Sequence, residues 1–567
     1  MMVAIISWLL QLVVLIASLA VLAYPLGKYM SMVYTGKDTL LSVVLAPVER
    51  FFYKVLGIDA QESVTWQRFA YDFLWLLVAC AVFLVALQLL QRFLPFNPQR
   101  LSAPRWDTIL NATVSFITNT GWQSYSSETT MSYLTRAGFG AVNFLSAAAG
   151  MSIAVAVING FTKKNAVGIG SFWVYLVKSI IYILLPIALI LSGLLLFQGS
   201  PNNFNRPVIV KTLEQESQLI YQGPVASQAA IKHLSGCGGG FYAANAAHPY
   251  ENPTALTDFI NLLSSLLIAA AFPFMFGRLI KNQAQGWIIF ITMAILLITG
   301  SMIVMWTESI GSQWFLEGGL FSGANLMGKE LRFGALSAAT FADAASASTA
   351  GVANSSLGNL LPGSKLVLIF NLVLGGAVFG GAGIGFINIL FYLMLTVFLI
   401  GMMTGRTPEI YGKKLGAYEI SILIVVLFIP YITQLVFSMV ALVTESSSVS
   451  GGSRKITEII YTYLSTITNN GSSIAAIIDL DNCFYNLTTS VTMIIGYLMA
   501  TISALAITGS LSSKKISPKN LQFPVNSWLF CSLLLSIIVL FNLLSVLPTL
   551  VLGPVLEHLN TVTGKIF

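Results

Sequence analysis

Charge is what this sequence has least of. Charged residues make up 9% of the 567-residue chain, against roughly 25% in soluble domains. With 56% hydrophobic residues and a mean hydropathy of +0.81, the polar residues cannot cover the apolar mass in water. An ordinary soluble fold is excluded, and lipid must be part of the solvent. The four cysteines, Cys80, Cys237, Cys483 and Cys531, have neither metal spacing nor the density of a disulfide framework. No Arg-rich run is present to follow a phosphate backbone, which sets nucleic acid aside. The net charge of +7 is instead what cytoplasmic loops of a membrane protein carry. Nor is there a GxxxxGK[ST] loop or an Asp-Lys-Thr-Gly-Thr phosphorylation run. Gly36-Lys37 lacks the upstream glycine and Gly564-Lys565 lies in the tail, so the chain by itself is expected to bind no nucleotide and hydrolyse no ATP.

What is present are apolar stretches long enough to span a bilayer. Ten are expected, near 3–24, 66–91, 133–158, 168–198, 256–277, 284–305, 364–403, 416–443, 485–509 and 527–550. The first has no basic start or small-residue cleavage site and reads as a retained helix. Basic connectors fall in alternate gaps: Lys28, Lys37, Arg50 and Lys54; Lys163 and Lys164; Arg278 and Lys281; Arg406, Lys413 and Lys414; Lys514, Lys515 and Lys519. Positive residues favour the cytoplasmic side, so both termini are expected outside.

The other gaps share a pattern. Each holds a short, weakly apolar segment, then a small polar tract ending in glycine, then a full span. The tracts are Asn119-Thr120-Gly121, Gly236-Cys237-Gly238, Thr349-Ala350-Gly351 and Asn469-Asn470-Gly471. Their glycines are 117, 113 and 120 residues apart, a period that marks an internal repeat. Short helices are expected before them, from Thr108 to Thr118, Ser227 to Leu234, Phe341 to Ser348 and Glu458 to Thr468. The fold class is therefore an all-α membrane protein of about ten transmembrane helices: four pseudo-symmetric span–pore-helix–filter–span repeats with one extra helix at each end. The corresponding divisions are 1–62, 63–165, 166–282, 283–412, 413–520 and 521–567.

Non-helical backbone at membrane depth survives only where protein buries it or a watery cavity hydrates it. Four such loops on one axis can turn carbonyl oxygens inward and replace the water around a monovalent cation such as K+. Glycine allows the turns, and the half-helices aim negative ends at the ion. No tract contains Asp or Glu, as a site for divalent ions would require. Gln123 and Ser124, just past the first tract, could orient water at the pore mouth or bond neighbouring backbone. The cluster Gly375, Gly376, Gly380, Gly381, Gly383 and Gly385 interrupts the seventh span. It is expected to form a kink or non-helical loop beneath the filter, with Gly380, Gly381 and Gly383 as gating glycines, rather than close helix packing. His248 and Glu251 read as loop bracing, Cys237 as a small filler, and Glu409 with Arg406, Lys413 and Lys414 as a solvated cluster.

Several runs resemble one family from end to end. They are Leu94 to Gln99 (LPFNPQ) leading into Val114 to Tyr125 (VSFITNTGWQSY), Gly238 to Phe241 (GGGF), His248 to Thr254 (HPYENPT), Phe379 to Gly383 (FGGAG), Gly405 to Glu409 (GRTPE) and Asn469 to Ser472 (NNGS). The sequence is similar to the potassium-binding subunit of the bacterial potassium-transporting ATPase (KdpA). That resemblance implies a filter open to the outside of the cytoplasmic (inner) membrane, K+ as the transported ion, and a pump completed by a P-type ATPase subunit (KdpB), a single-span subunit (KdpC) and a small helix (KdpF). The alternative is a free-standing K+ channel or cation symporter of the same superfamily. All four repeats share one orientation, which disfavours inverted-repeat transporters.

The chain also departs from the family pattern. Gly121 stands where the family has Asn, Gly236-Cys237 where it has Thr-Asn, and Thr349-Ala350 where it has Ser-Cys. Gly376 replaces a family glutamate and Tyr497 a family arginine, two losses that together leave no orphaned charge in low dielectric.

Overall fold

Ten helices among the described residues are long and apolar enough to cross a membrane. The computed structural model describes residues 2–39, 41–163, 168–310, 324–444, 452–476, 481–515 and 524–562; Lys164, Lys519, Gly564 and Lys565 lie outside them. The helices are α1 (Met2–Tyr34), α2 (Ser42–Leu56), α3 (Trp66–Leu90), α4 (Trp106–Ile117) and α5 (Tyr133–Thr162). A span α6 (Phe172–Phe197) contains one π-helical turn just before Pro186, whose missing N–H cannot continue the α ladder. A hairpin β1 (Val208–Lys211) and β2 (Ser217–Ile220) follows, then α7 (Val225–Ser235), α8 (Ala255–Leu279), α9 (Gln283–Ile310), α10 (Gly334–Ala347), α11 (Pro362–Val373) and α12 (Ile384–Thr404). A second hairpin, β3 (Glu409–Ile410) and β4 (Lys413–Lys414), precedes α13 (Ala417–Thr444), α14 (Gly452–Ile467) and α15 (Cys483–Ser513). The last span is α16 (Trp528–Asn560). The multi-pass membrane character expected from composition is present.

Local chemistry sets where the spans begin. Ser132, Thr254 and Asn482 cap α5, α8 and α15 by accepting from the backbone N–H of Thr135, Thr257 and Tyr485. Pro362 starts α11 at a position where its missing N–H costs nothing. Helices then approach through small residues, since lipid provides no hydrophobic drive for their association. Gly27 of α1 lies directly on Ala271 and Phe274 of α8, and Gly160 of α5 on Thr508 of α15. The first contact explains why α1 runs to Tyr34, past the expected end near residue 24.

Two further features matter, and the second of them departs from the sequence expectations. The seventh span is not one helix: α11 and α12 are separated by residues 374–383, in which Gly375, Gly376, Phe379 and Gly383 have φ of 60°, 74°, 49° and 98°. Such angles cannot be accommodated in a right-handed helix. Secondly, the cluster expected to be solvated is so only in part: Arg406 and Lys414 are exposed, whereas Glu409 and Lys413 are not. Both residues are buried, because the β3–β4 hairpin tucks beneath the bundle. Lys413 Nζ donates to the carbonyls of Gly160 (2.7 Å), Lys163 (2.5 Å) and Leu511 (2.8 Å). These lie at the C-terminal ends of α5 and α15, where helix dipoles favour a cation. Burial, with the Lys514 ammonium adding to it, lowers the Lys413 pKa to about 8, so at neutral pH three N–H donors meet three acceptors. Lys413→Met is expected to destabilise the protein by about 2 kcal/mol through unpaired carbonyls, read as a lower thermal midpoint in detergent with ion preference unchanged.

Candidate functional site

The four half-helices α4, α7, α10 and α14 end in one geometry. Each stops within two residues of a left-handed residue: Asn119 (φ 55°), Gly236 (φ 61°), Thr349 (φ 50°) and Asn469 (φ 55°). The next N–H then reaches back five residues, from Thr120 to Ser115 O (2.9 Å), Cys237 to Lys232 O (3.2 Å), Ala350 to Ala345 O (3.1 Å) and Asn470 to Ser465 O (2.8 Å). This closure satisfies the last helical carbonyls and turns the chain sharply away from the axis of each half-helix. Glycine and asparagine are the residues that adopt it readily. Thr349, β-branched, is an outlier held in place by its surroundings.

The four tracts touch in cyclic order. Gly238 N donates to Thr120 O at 3.3 Å. A Cβ placed on Gly121 would meet Gly238 and Gly239; one on Gly238 would lie 3.1 Å from Gly351 O; one on Gly351 would strike Asn470 O; one on Gly471 would strike Thr120 O. The fourth tract therefore closes onto the first. This ring divides two cavities. A vestibule of about 690 Å3 is lined by Gly121, Gly238, Gly351 and Gly471, among other residues. Beyond the opposite side, a cavity of about 90 Å3 is lined by Asn119, Gly236, Thr349 and Asn469, with room for several waters at about 10–15 Å3 each.

Side chains of the tracts are engaged in bracing. Asn119 Nδ2 donates to Ser235 O (2.9 Å) and its Oδ1 accepts from Ser146 Oγ (3.0 Å). Asn469 Nδ2 reaches Thr120 Oγ1 (2.9 Å) and Met493 O (3.0 Å), while Asn470 Nδ2 reaches Ala345 O (3.0 Å). Cys237 Sγ and Ala350 are buried fillers, the thiol packed beside the bare Cα of Gly121. With these side chains engaged, the polar groups of the tracts that remain are chiefly backbone carbonyls, with the hydroxyl of Thr349 beside the small cavity. Among the described residues no cluster of three or more His, Cys, Asp or Glu could hold a metal.

Of the two alternatives for Gln123 and Ser124, both residues bond neighbours. Gln123 pairs with Gly240 through Nε2 to O (3.3 Å) and N to Oε1 (3.1 Å), clamping the first repeat to the second at the vestibule wall. Ser124 is fully buried and donates to Asn486 Oδ1 of the fourth repeat at 2.6 Å, so it is not at the mouth. His248 stacks on Tyr242, ring centroids 3.5 Å apart. Burial lowers its pKa, and Glu251 pairs with Lys232 instead.

Beneath the ring, Gly381 N donates to Ser348 O at 2.9 Å, Gly380 packs on Gly376, and Gly383 on Gly150 of α5. The linker between α11 and α12 thus forms part of the small cavity's wall, with Gly375 and Gly381 lining it. Tyr497 lines the same cavity, its hydroxyl without a hydrogen-bond partner among the described residues. Gly376 abuts Thr349. A glutamate there would carry a Cβ at φ 74°, so restoring the family residue requires the linker to change shape as well as charge.

Sequence reasoning missed one set of residues at the site. Buried Lys232 and Glu251 and half-buried Asn245 form a network against the second tract. Glu251 was visible within HPYENPT, but only the fold shows its cation.

Comparison with known proteins agrees with this geometry. The family model described as the potassium-transporting ATPase A subunit (KdpA) matches residues 13–559. Relatives named potassium-transporting ATPase potassium-binding subunit include one from Granulibacter bethesdensis, 39% identical over 96% of this chain and 97% of its own. Another, from Rhizobium rhizogenes, is 39% identical over 99% of both chains, and one from Methylorubrum extorquens is 40% identical over 96% of both. Among solved structures, the potassium transporter TrkH from Vibrio parahaemolyticus superimposes with a TM-score of 0.51 at 14% identity, covering 84% of this chain and 96% of that one. That likeness is one of fold. With a full-length match in sequence and a ring of four repeats in structure, this chain belongs to the potassium-transporting ATPase A subunit (KdpA) family.

Proposed function

We propose that this chain is the potassium-binding subunit of an ATP-driven K+ uptake pump, taking K+ from outside the cytoplasmic membrane into the four-tract ring and passing it on for transport. The observation that carries the reading is the closed ring of glycine-ended tracts between two cavities. Carbonyl oxygens of Asn119, Thr120 and Gly121, Gly236, Cys237 and Gly238, Thr349, Ala350 and Gly351, and Asn469, Asn470 and Gly471 replace the ion's water. Being neutral, they hold a monovalent ion without trapping it. Each half-helix ending at the ring contributes about half a negative charge, which favours a cation without a carboxylate. The small cavity receives the dehydrated ion, and the linker carrying Gly380, Gly381 and Gly383 controls its passage.

ATP hydrolysis belongs to a partner. The subunit names of the relatives imply a complex; the resemblance to the family points to KdpB as the P-type ATPase, with KdpC and KdpF, and to the bacterial inner membrane with the vestibule outward. Co-purification from detergent followed by ATPase assay tests this. The complex is expected to hydrolyse ATP when K+ is added, and the isolated chain to bind K+ without hydrolysis. Rapid K+ flux through the isolated chain in liposomes, with no partner recovered, would instead support the free-standing channel.

A further inference from the structure

Among the tract carbonyls of the described residues, Gly238 O is the one that accepts from a side chain: Asn245 Nδ2 donates to it at 2.5 Å. Asn245 stands seven residues later on the vestibule wall, in left-handed conformation at φ 54°. Its amide cannot be reversed. Oδ1 accepts from Lys232 Nζ at 2.6 Å and from the N–H of Ala246 at 2.8 Å, and a flipped NH2 would face an ammonium. Lys232 comes from the pore helix α7 and is itself paired with Glu251 Oε2, the two side chains each 1% exposed. The other oxygen, Glu251 Oε1, accepts from Tyr242 N at 2.9 Å, which fixes the loop that follows the tract. Charge thus runs in a line from carboxylate to ammonium to amide to carbonyl. An ammonium on the amide oxygen polarises the amide and strengthens its N–H as a donor. Among the described residues the other three tracts have no such arrangement.

We infer that Asn245 is a positioning residue that holds the Gly238 carbonyl at a set distance from the axis, and so tunes the ring's discrimination between K+ and a larger monovalent cation. This rests on the reading of the tracts as the filter. A carbonyl shared between an amide donor and an ion is a weaker, less movable ligand than a free one. Releasing it lets the oxygen follow the size of whichever ion is bound, so the second quarter of the ring becomes more tolerant.

The test uses the intact pump complex and measures half-saturating K+ and Rb+ for ATPase stimulation. Asn245→Asp keeps the bonds to Lys232 and Ala246 N and suits the left-handed backbone, but places a lone pair where the donor was. Asn245→Gly also suits that backbone and removes the amide without adding charge. Both variants are expected to shift the Rb+ to K+ ratio by about fivefold or more in favour of Rb+, with thermal midpoints close to the parent's. A shift in Asp alone would be the effect of its charge and would overturn the inference, as would an unchanged ratio in both. Gly351→Ala, run in parallel, separates the levels. If it alters K+ affinity while the Asn245 variants leave the ratio unchanged, the filter reading stands and the role of Asn245 falls; if none of the three has any effect, the filter reading falls with it.

Discussion

Gly351→Ala is expected to raise the half-saturating K+ concentration of the assembled pump by about 100-fold while leaving expression and assembly near normal. The added methyl group meets two obstacles. Gly351 has φ 63°, which costs an L-residue about 1–2 kcal/mol, and its Cβ would lie against the carbonyl oxygen of Asn470 in the next tract. That oxygen is one of the proposed ligands, so the strain is relieved by moving it off its position. Together these account for about 2.7 kcal/mol, equivalent to the 100-fold loss. Gly238 offers an internal comparison. Its φ is not left-handed and the nearest atom to an added Cβ is 3.1 Å away. Gly238→Ala is accordingly expected to cost no more than about tenfold. Aspartate at Gly121, Gly238, Gly351 or Gly471 should damage affinity or selectivity more than expression, because a carboxylate in a ring of neutral carbonyls binds cations by charge rather than size. Unaltered K+ affinity across all four aspartate variants would remove the ring from the transport path.

The largest effect on stability is expected at Glu308, in the last turn of α9. Its carboxylate accepts from Lys329 Nζ (2.8 Å), Asn325 Nδ2 (2.8 Å), Leu361 N (2.8 Å) and Ser364 Oγ (2.6 Å). Both side chains of the Glu308–Lys329 pair are fully shielded. These bonds pin the segment that enters the half-helix α10 against the start of α11, so this anion anchors the approach to the third tract. Glu308→Gln leaves the Lys329 ammonium without a counter-charge and turns two acceptor lone pairs into donors. A loss of about 3–5 kcal/mol is expected, the range for breaking one partner of a buried pair. Lys329→Met should cost a similar amount. The double variant should lose clearly less than the sum of the two, since the second change removes the charge orphaned by the first. Thermal unfolding of the purified chain measures all three; strict additivity would show that the two residues act separately.

Much of the fold and of the site was legible in the residues. Ten lipid-length apolar stretches, the four short helices and the near-equal glycine spacing follow from hydropathy and backbone permissiveness, which are properties of local composition. Asn119, Gly236 and Asn469 are residue types suited to the left-handed turn that ends three of the four half-helices, and Thr349, at the fourth, is not. Legibility failed where a residue's role depends on a distant partner. Ser124 reads equally as a mouth residue or as a brace until the fourth repeat supplies Asn486. Lys413 looks solvated until α5 and α15 present their terminal carbonyls. Gly121 and Cys237, both departures from the family pattern, prove to be in contact across two repeats, the thiol filling space beside the missing side chain.

The sequence alone determined that this protein crosses a membrane about ten times, repeats one motif four times and carries no carboxylate in the repeated tracts, because solvent preference and backbone freedom reside in single residues and short runs. Tertiary contacts settled that the tracts close a ring between two cavities and that Lys232, Asn245 and Glu251 stand behind one of its carbonyls. Those outcomes depend on contacts between residues far apart along the chain, where neither partner carries any local mark of the other.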